Sequence, residues 1–310
     1  MPSAAYLHLA IVYIVWGTVY PVIRIALTDA NAPTAMQLQS GRLLLSAAVL
    51  AVPLVLRSRF IVQGRRDFAL CVVSGFLFWV TGNGFATLAL RELPAGFVTM
   101  AAAGIPLWTA VFQSLFDRHG IARTQVASLA FGLIGMSLVF FPALSSISQA
   151  DLYKPFELCV AFLAPITWAL GSMLQRPLQH TMAPEVAAST QMAVGGSCWL
   201  ILALLDGSPL PDQFSGVEIM AFLYLVLFVG ALCFSSYIKV TRLLPAHIGA
   251  SFAYVNPIVG VSLAWLFLGE TIALMSLIGM ATVIGSVVVL LWHTHRSSHH
   301  SGGSRELGNH

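Results

Sequence analysis

Arg91-Glu92-Leu93-Pro94-Ala95, followed by Pro106, returns later in the chain as Arg242-Leu243-Leu244-Pro245-Ala246, followed by Pro257. The shared arginine, alanine and both prolines are each displaced by 151 positions. Pro33 and Pro184 differ by the same 151, and the pair Trp16 and Arg24 reappears 152 positions on as Trp168 and Arg176. Chance could supply one such match. The whole set at one spacing marks an internal duplication, two halves of one plan within 310 residues.

Composition says what each half is made of. The chain is 58% hydrophobic and only 9% charged, with a mean hydropathy of +0.85. A soluble domain carries about 25% charged residues, so most of this surface must face lipid. A bilayer core of roughly 30 Å needs about 20 apolar residues per helix. The sequence predicts helices over 6–28, 33–57, 67–90, 94–117, 122–143, 153–177, 183–205, 214–242, 246–268 and 271–292. The fold class is therefore an all-α polytopic membrane protein of ten transmembrane helices. Residues 1–144 and 153–292 are the two five-helix repeats, 145–152 a polar link, and 293–310 a polar tail outside the fold.

Five crossings are an odd number, so the second half must run through the membrane in the opposite sense. Charge agrees. Eleven basic residues (Arg57, Arg59, Arg65, Arg66, Arg118, Arg123, Arg176, Lys239, Arg242, Arg296 and Arg305) fall on the side of the N-terminus. Only Arg24, Arg91 and Lys154 fall on the other, and Arg42 lies within a span. The positive-inside rule then puts both termini in the cytoplasm, with the protein in the bacterial inner membrane. The first apolar segment has no cleavage site after it and reads as a retained span. Inverted repeats are a hallmark of transporters, because exchange of conformations between the halves gives alternating access.

Several of these residues also resemble the drug/metabolite transporter superfamily, in particular its EamA-type members. Trp16-Gly17-Thr18 through Pro21 and Arg24 is similar to that family's first-helix motif, and Arg42 to its second-helix arginine. Leu93-Pro94-Ala95 with Pro106 resembles its fourth helix, and Ala250-Ser251-Phe252-Ala253-Tyr254-Val255-Asn256-Pro257 through Leu268-Gly269-Glu270 its ninth. Gly279 and Gly285 fall where its last helix has glycines. Phe116-Asp117-Arg118 departs from its counterpart Leu268-Gly269-Glu270, which argues against a symmetric role for Glu270. Within the superfamily the chain looks closest to the YddG-type aromatic amino acid exporters. The resemblance implies a central cavity formed by spans one to four and six to nine, with spans five and ten bracing the outside of each half.

Candidate cavity residues are those whose chemistry is expensive at mid-membrane. Trp16, Tyr20, Trp79, Trp168, Tyr237 and Tyr254 fall well inside spans, where an aromatic either packs or lines a pocket. With Asn83 and Asn256 they suggest a largely apolar cavity with a few amide hydrogen-bonders, suited to aromatic or branched amino acids. Arg42, about nine residues into span two, either binds a substrate carboxylate or pairs with polar groups to fix the bundle. Pro106 and Pro257 lie near mid-depth and read as hinges or static kinks. Ser128-xxx-Gly132 and Ala281-xxx-Gly285 are small-residue pairs that suit close helix packing, internal or between copies.

Every Asp and Glu sits at or near a predicted helix end, which favours facilitated transport over proton antiport through a buried carboxylate relay. His8 and His247 are the remaining possible proton carriers, both close to an interface. Cys71, Cys159, Cys198 and Cys233 lie in apolar runs and read as buried small hydrophobes. The serine in Gly195-Gly196-Ser197-Cys198 has no buried histidine near it in sequence, and no phosphate-binding glycine loop occurs. No catalytic residue, metal ligand, cofactor or nucleic-acid partner is expected. The expected partners are a small-molecule substrate and the bilayer, and the expected state is a monomer. Drugs, nucleoside-type or sugar-type metabolites are the alternative cargoes, and a non-transporting scaffold the alternative role.

Overall fold

The computed structural model describes residues 2–27, 32–62, 64–93, 95–118, 120–142, 154–211, 213–268 and 272–289. In chain order its apolar helices are α1 (Ala4–Ile23), α2 (Ala35–Leu56), α3 (Gly64–Ala89), α4 (Phe97–Asp117), α5 (Arg123–Val139), α6 (Pro155–His180), α7 (Pro184–Asp206), α8 (Gly216–Leu243), α9 (Ala246–Leu263) and α10 (Leu274–Val289). Eight are long and apolar enough to cross a membrane, and α5 and α10 are shorter. No strand occurs among the described residues. The expected link at 145–152, the tail at 293–310, and Pro94, Gly269 and Glu270 lie outside them.

Local chemistry sets the ends. Thr34 caps α2 and Ser215 caps α8, each by a reciprocal capping box with Gln37 and Glu218 respectively. Proline occupies the first turn of α6 and α7, where its missing N–H costs nothing. Gly207, at φ 69°, takes the left-handed position that ends α7.

The interiors are less regular than a hydropathy reading predicts. α1 is interrupted at Thr18, because Pro21 removes an N–H three residues on and crowds the preceding turn. The Thr18 hydroxyl donates to the Val15 carbonyl (2.7 Å). α4 breaks at 103–104, just ahead of Pro106, and α9 breaks at Ser251, six residues ahead of Pro257. α3 and α8 each contain a π-helical stretch, Phe76–Gly82 and Leu225–Phe234. These two stretches fall about one repeat length apart.

Lipid tails are as apolar as leucine, so helices associate here through close packing rather than through exclusion of water. Glycines show where. A Cβ on Gly195 would meet the Trp79 side chain at 2.2 Å, and one on Gly196 would meet Leu44 at 2.8 Å. The small-residue run on α7 is thus the groove that receives α3 and α2. Gly230 on α8 admits Ser46, whose hydroxyl donates to the Val226 carbonyl (2.9 Å).

α5 and α10 pack on one another. A Cβ on Gly279 would lie 2.5 Å from the Val139 nitrogen, one on Gly135 would lie 2.7 Å from Val283, and Ser276 donates to the Val139 carbonyl (2.8 Å). Gly132 is part of this packing, but Gly285 faces open space, so the Ala281-xxx-Gly285 pair is not the contact. The outer surface is studded with leucine, such as Leu56 and Leu205, as a lipid-facing surface requires. Cys71 and Cys233 are buried, whereas Cys159 is exposed and Cys198 half-buried. The expectation of four buried cysteines fails there because Cys159 lies on the outer face of α6.

Candidate functional site

Between α1, α2, α3, α4, α6, α8 and α9 lies a cavity of about 80 Å³. Six of the candidate residues line it: Trp16, Arg42, Trp79, Asn83, Trp168 and Asn256. Both expected hinge regions border it as well, through Ile105 next to Pro106 and through Pro257 itself.

Arg42 is the polar centre. It lies seven residues past the start of α2, about 10 Å along the helix and so shallower than the sequence suggested. It is 1% exposed. Its Nε donates to the Gln39 side-chain oxygen and its Nη2 to Asn83 Oδ1, and the guanidinium lies 5.7 Å from the Trp79 ring centroid. Gln39 in turn donates to Asn83 Oδ1 (2.9 Å) and Thr87 Oγ1 (2.9 Å). Burying a guanidinium in a span costs several kcal/mol (about 2.5–3.5 on insertion scales) unless such partners receive it. Gln39 and Thr87 were not among the sequence candidates. Helical spacing was the available signal, since Gln39 is three residues from Arg42 and Thr87 four from Asn83, each pair on one face.

The walls and floor are aromatic. Trp16 meets Trp168 edge to face at 5.4 Å and Phe252 at 4.8 Å. Trp79 packs on Phe234 at 4.7 Å, and Phe78 on Trp168 at 4.9 Å. Polar edges are tied off individually. Trp16 donates to the Val229 carbonyl within the π-helical stretch of α8 (3.3 Å), and Trp168 donates to the Tyr237 hydroxyl (3.2 Å), which also bonds Ser172 (2.6 Å). The Trp79 indole N–H, by contrast, has no partner among the described residues. Phe78, Phe234 and Phe252 escaped the sequence reading because a phenylalanine in an apolar run carries no signal of its own.

Tyr237 sits beneath this cavity rather than in it, beside a void of about 10 Å³ that Thr109, Ser172 and Thr241 also border. Tyr254 points elsewhere: its hydroxyl donates to the Leu129 carbonyl of α5 (3.1 Å), and the ring fills the space above Gly132. Tyr20 lies on α1, with its side chain outside the described set. Asn256, with its amide oriented by its neighbours, donates to the carbonyls of Tyr13 (3.1 Å) and Phe252 (3.0 Å) while bordering the cavity.

The cavity lies toward one end of the bundle. Asn83 is six residues, about 9 Å, from the end of α3, and Arg42 is at a similar depth from the start of α2. Glu92 and Lys154 pair at that end (3.2 Å). Asp117–Arg176 (2.8 Å) and Glu185–Lys239 (2.6 Å) pair at the other, beyond the aromatic floor.

Apolar helices with irregular turns around a polar and aromatic cavity enclosed by the bundle are the architecture of a multi-pass membrane transporter. The model of the EamA-like transporter family matches residues 3–141 and again 155–292, and the chain belongs to that family. It is 26% identical over 279 residues to the "Uncharacterized inner membrane transporter YedA" of Escherichia coli (strain K12), covering 90% of this chain and 87% of that one. It is 23% identical over 288 residues to the "Uncharacterized transporter YvbV" of Bacillus subtilis (strain 168), covering 92% and 90%. "Protein PecM" of Dickeya dadantii is 25% identical over 286 residues, covering 89% and 88%. One solved crystal structure shares the fold with a TM-score of 0.78 at 17% identity, covering 95% of this chain and 98% of the other.

Proposed function

We propose that this chain exports small amphipathic metabolites, amino acids with aromatic side chains foremost, across the bacterial inner membrane by alternating access. The observation that carries the reading is the pairing, in one cavity, of a buried guanidinium with tryptophan walls. Arg42 and the Asn83 amide N–H offer donors for a carboxylate, and the Trp79 N–H is a further donor. Trp16, Trp168 and Phe252 offer an apolar slot for a ring. This reading follows the resemblance to the YddG-type exporters.

The proposed frame is ten spans in two inverted repeats, 1–144 and 153–292, acting as a monomer with both termini in the cytoplasm. Three ion pairs support it. Glu92–Lys154 joins two ends assigned to the outside, and Asp117–Arg176 and Glu185–Lys239 join ends assigned to the inside. In that frame the cavity lies in the outer half, and the Trp168–Tyr237–Ser172 contacts close it toward the cytoplasm. The rocking elements would be the broken helices α4 and α9, at Pro106 and Pro257. The absence of a mid-span carboxylate among the described helices supports facilitated transport rather than proton antiport.

Uptake of radiolabelled phenylalanine, tryptophan and threonine into proteoliposomes, with and without an imposed pH gradient, tests this. Saturable uptake of the aromatic pair without a gradient is expected. No uptake of any of the three under either condition would overturn the amino acid assignment.

A further inference from the structure

A second, larger cavity of about 360 Å³ shares no lining residue with the first. It runs between the start of α2 and the first two turns of α8, bordered by Leu38, Gly41, Phe214, Glu218, Phe222 and Leu223. Apart from Gln37 and Glu218 its lining is apolar, with Pro33 and Gly41 among it. Phe214, Ile219 and Leu223 are each nearly half exposed on the outer surface of the bundle, so the trough opens sideways toward lipid.

Glu218 is the exceptional group. It is 7% exposed, and its Oε2 accepts the Ser215 backbone N–H (2.7 Å) in the capping box. Its Oε1 is buried with no hydrogen-bond partner among the described residues. A buried carboxylate oxygen without a donor is costly, so something beyond the chain is expected to supply one. Depth narrows the choice. Glu218 is the third residue of α8, at the level where a span enters the membrane, and Leu223 lies five residues deeper, about 8 Å further into the hydrocarbon. The polar end is at the interface and the apolar trough descends from it.

We propose that this trough binds a membrane lipid with an ammonium headgroup, its N–H donating to Glu218 Oε1 and one acyl chain lying along Phe222 and Leu223. The charge-assisted bond satisfies the orphaned oxygen, and the chain fills apolar space that water would not occupy. A lipid whose headgroup offers only phosphate and hydroxyls meets the carboxylate with like charge and is disfavoured. The leaflet rests on the topology proposed above, which makes it the outer one; the binding does not.

The protein, reconstituted in nanodiscs of equal phosphatidylethanolamine and phosphatidylglycerol, is released for native mass spectrometry and its retained lipids are counted. Phosphatidylethanolamine should be retained about tenfold over phosphatidylglycerol, the scale of one charge-assisted hydrogen bond. Glu218→Gln should abolish that preference while leaving the fold intact, because glutamine serves equally in a capping box. Gly41→Phe should reduce retention of both lipids, since a Cβ there already lies 3.3 Å from the Phe222 ring. Equal retention of the two lipids by the unmodified protein, or an unchanged preference in Glu218→Gln, overturns the proposal. So does binding of dodecylammonium in lipid-free detergent without any retention of phosphatidylethanolamine, which would make the site one for a free cation. None of these readouts uses transport, so the lipid site and the export reading fail separately.

Discussion

Trp16 and Trp168, 152 residues apart in the chain, meet edge to face with ring centroids 5.4 Å apart and planes at 82°. Each indole N–H is satisfied by the second half, at the Val229 carbonyl and the Tyr237 hydroxyl. The tryptophans that mark corresponding places in the sequence are therefore in contact at the floor of the cavity.

Asn256 borders the cavity while holding the carbonyls of Tyr13 and Phe252, so it joins α1 to the segment of α9 that carries Pro257. Asn256→Ala should cut the initial uptake rate about tenfold or more while membrane expression falls less than twofold. Loss of two neutral hydrogen bonds is worth only about 1–3 kcal/mol of stability. Parallel uptake assays and fluorescence size-exclusion profiles read both quantities, and an equal fall in the two would assign Asn256 to packing.

Arg42 offers a planar fork that lysine cannot reproduce. Arg42→Lys should keep the folded protein and raise KM about tenfold, since the charge survives and the geometry does not. Arg42→Leu should lose stability by about 1–3 kcal/mol, because Gln39 Oε1 is then left without its donor in a buried site while Asn83 keeps only Gln39. Concentration-dependent uptake and thermal unfolding in detergent distinguish the two effects. A KM unmoved in Arg42→Lys would make the arginine a structural member of the bundle.

The contact of α5 with α10 depends on two particular glycines. Gly135→Leu or Gly279→Leu should lower the melting temperature by several degrees, the consequence of about 1–3 kcal/mol of overpacking. Gly285→Leu should be neutral, since its Cβ would meet nothing within 4 Å. A destabilising Gly285→Leu would point to a contact between copies of the chain.

Tyr237 closes the side of the cavity nearer the Asp117–Arg176 pair through its bonds to Trp168 and Ser172. Tyr237→Phe keeps the ring packed on Trp16 at 5.1 Å and removes only the hydroxyl. Two bonds of about 0.5–1.5 kcal/mol each then no longer favour the closed arrangement. Labelling of an Ala253→Cys reporter inside the cavity, on a background with the four native cysteines replaced, should rise about tenfold from the side of the Asp117–Arg176 pair. Labelling unchanged by the substitution would remove Tyr237 from the closing contacts.

Much of this protein could be read along the chain, because a bilayer imposes strict requirements on composition. In lipid only helices and closed barrels satisfy their backbone, so the ten predicted apolar helices follow from hydropathy, eight of them proving long enough to span, and the displaced Arg-Pro-Ala-Pro motif follows from reading residues in order. Arg42, Asn83 and the tryptophans stood out as costly residues at depth, and six such candidates share one cavity. Which way a side chain faces depends instead on helix rotation and on what the neighbouring helix presents. Tyr254 and Asn256 are two residues apart on α9, about 200° around the helix. That rotation sends Tyr254 to Leu129 of α5 and leaves Asn256 at the cavity. Gln39 became a functional candidate only when α2 and α3 were seen side by side, and the buried, unmatched oxygen of Glu218 only when the groove beside it was seen to be apolar. Burial cost is a property of single residues and is written in the sequence; partnership is a property of pairs far apart in the chain, and the tertiary structure decides it.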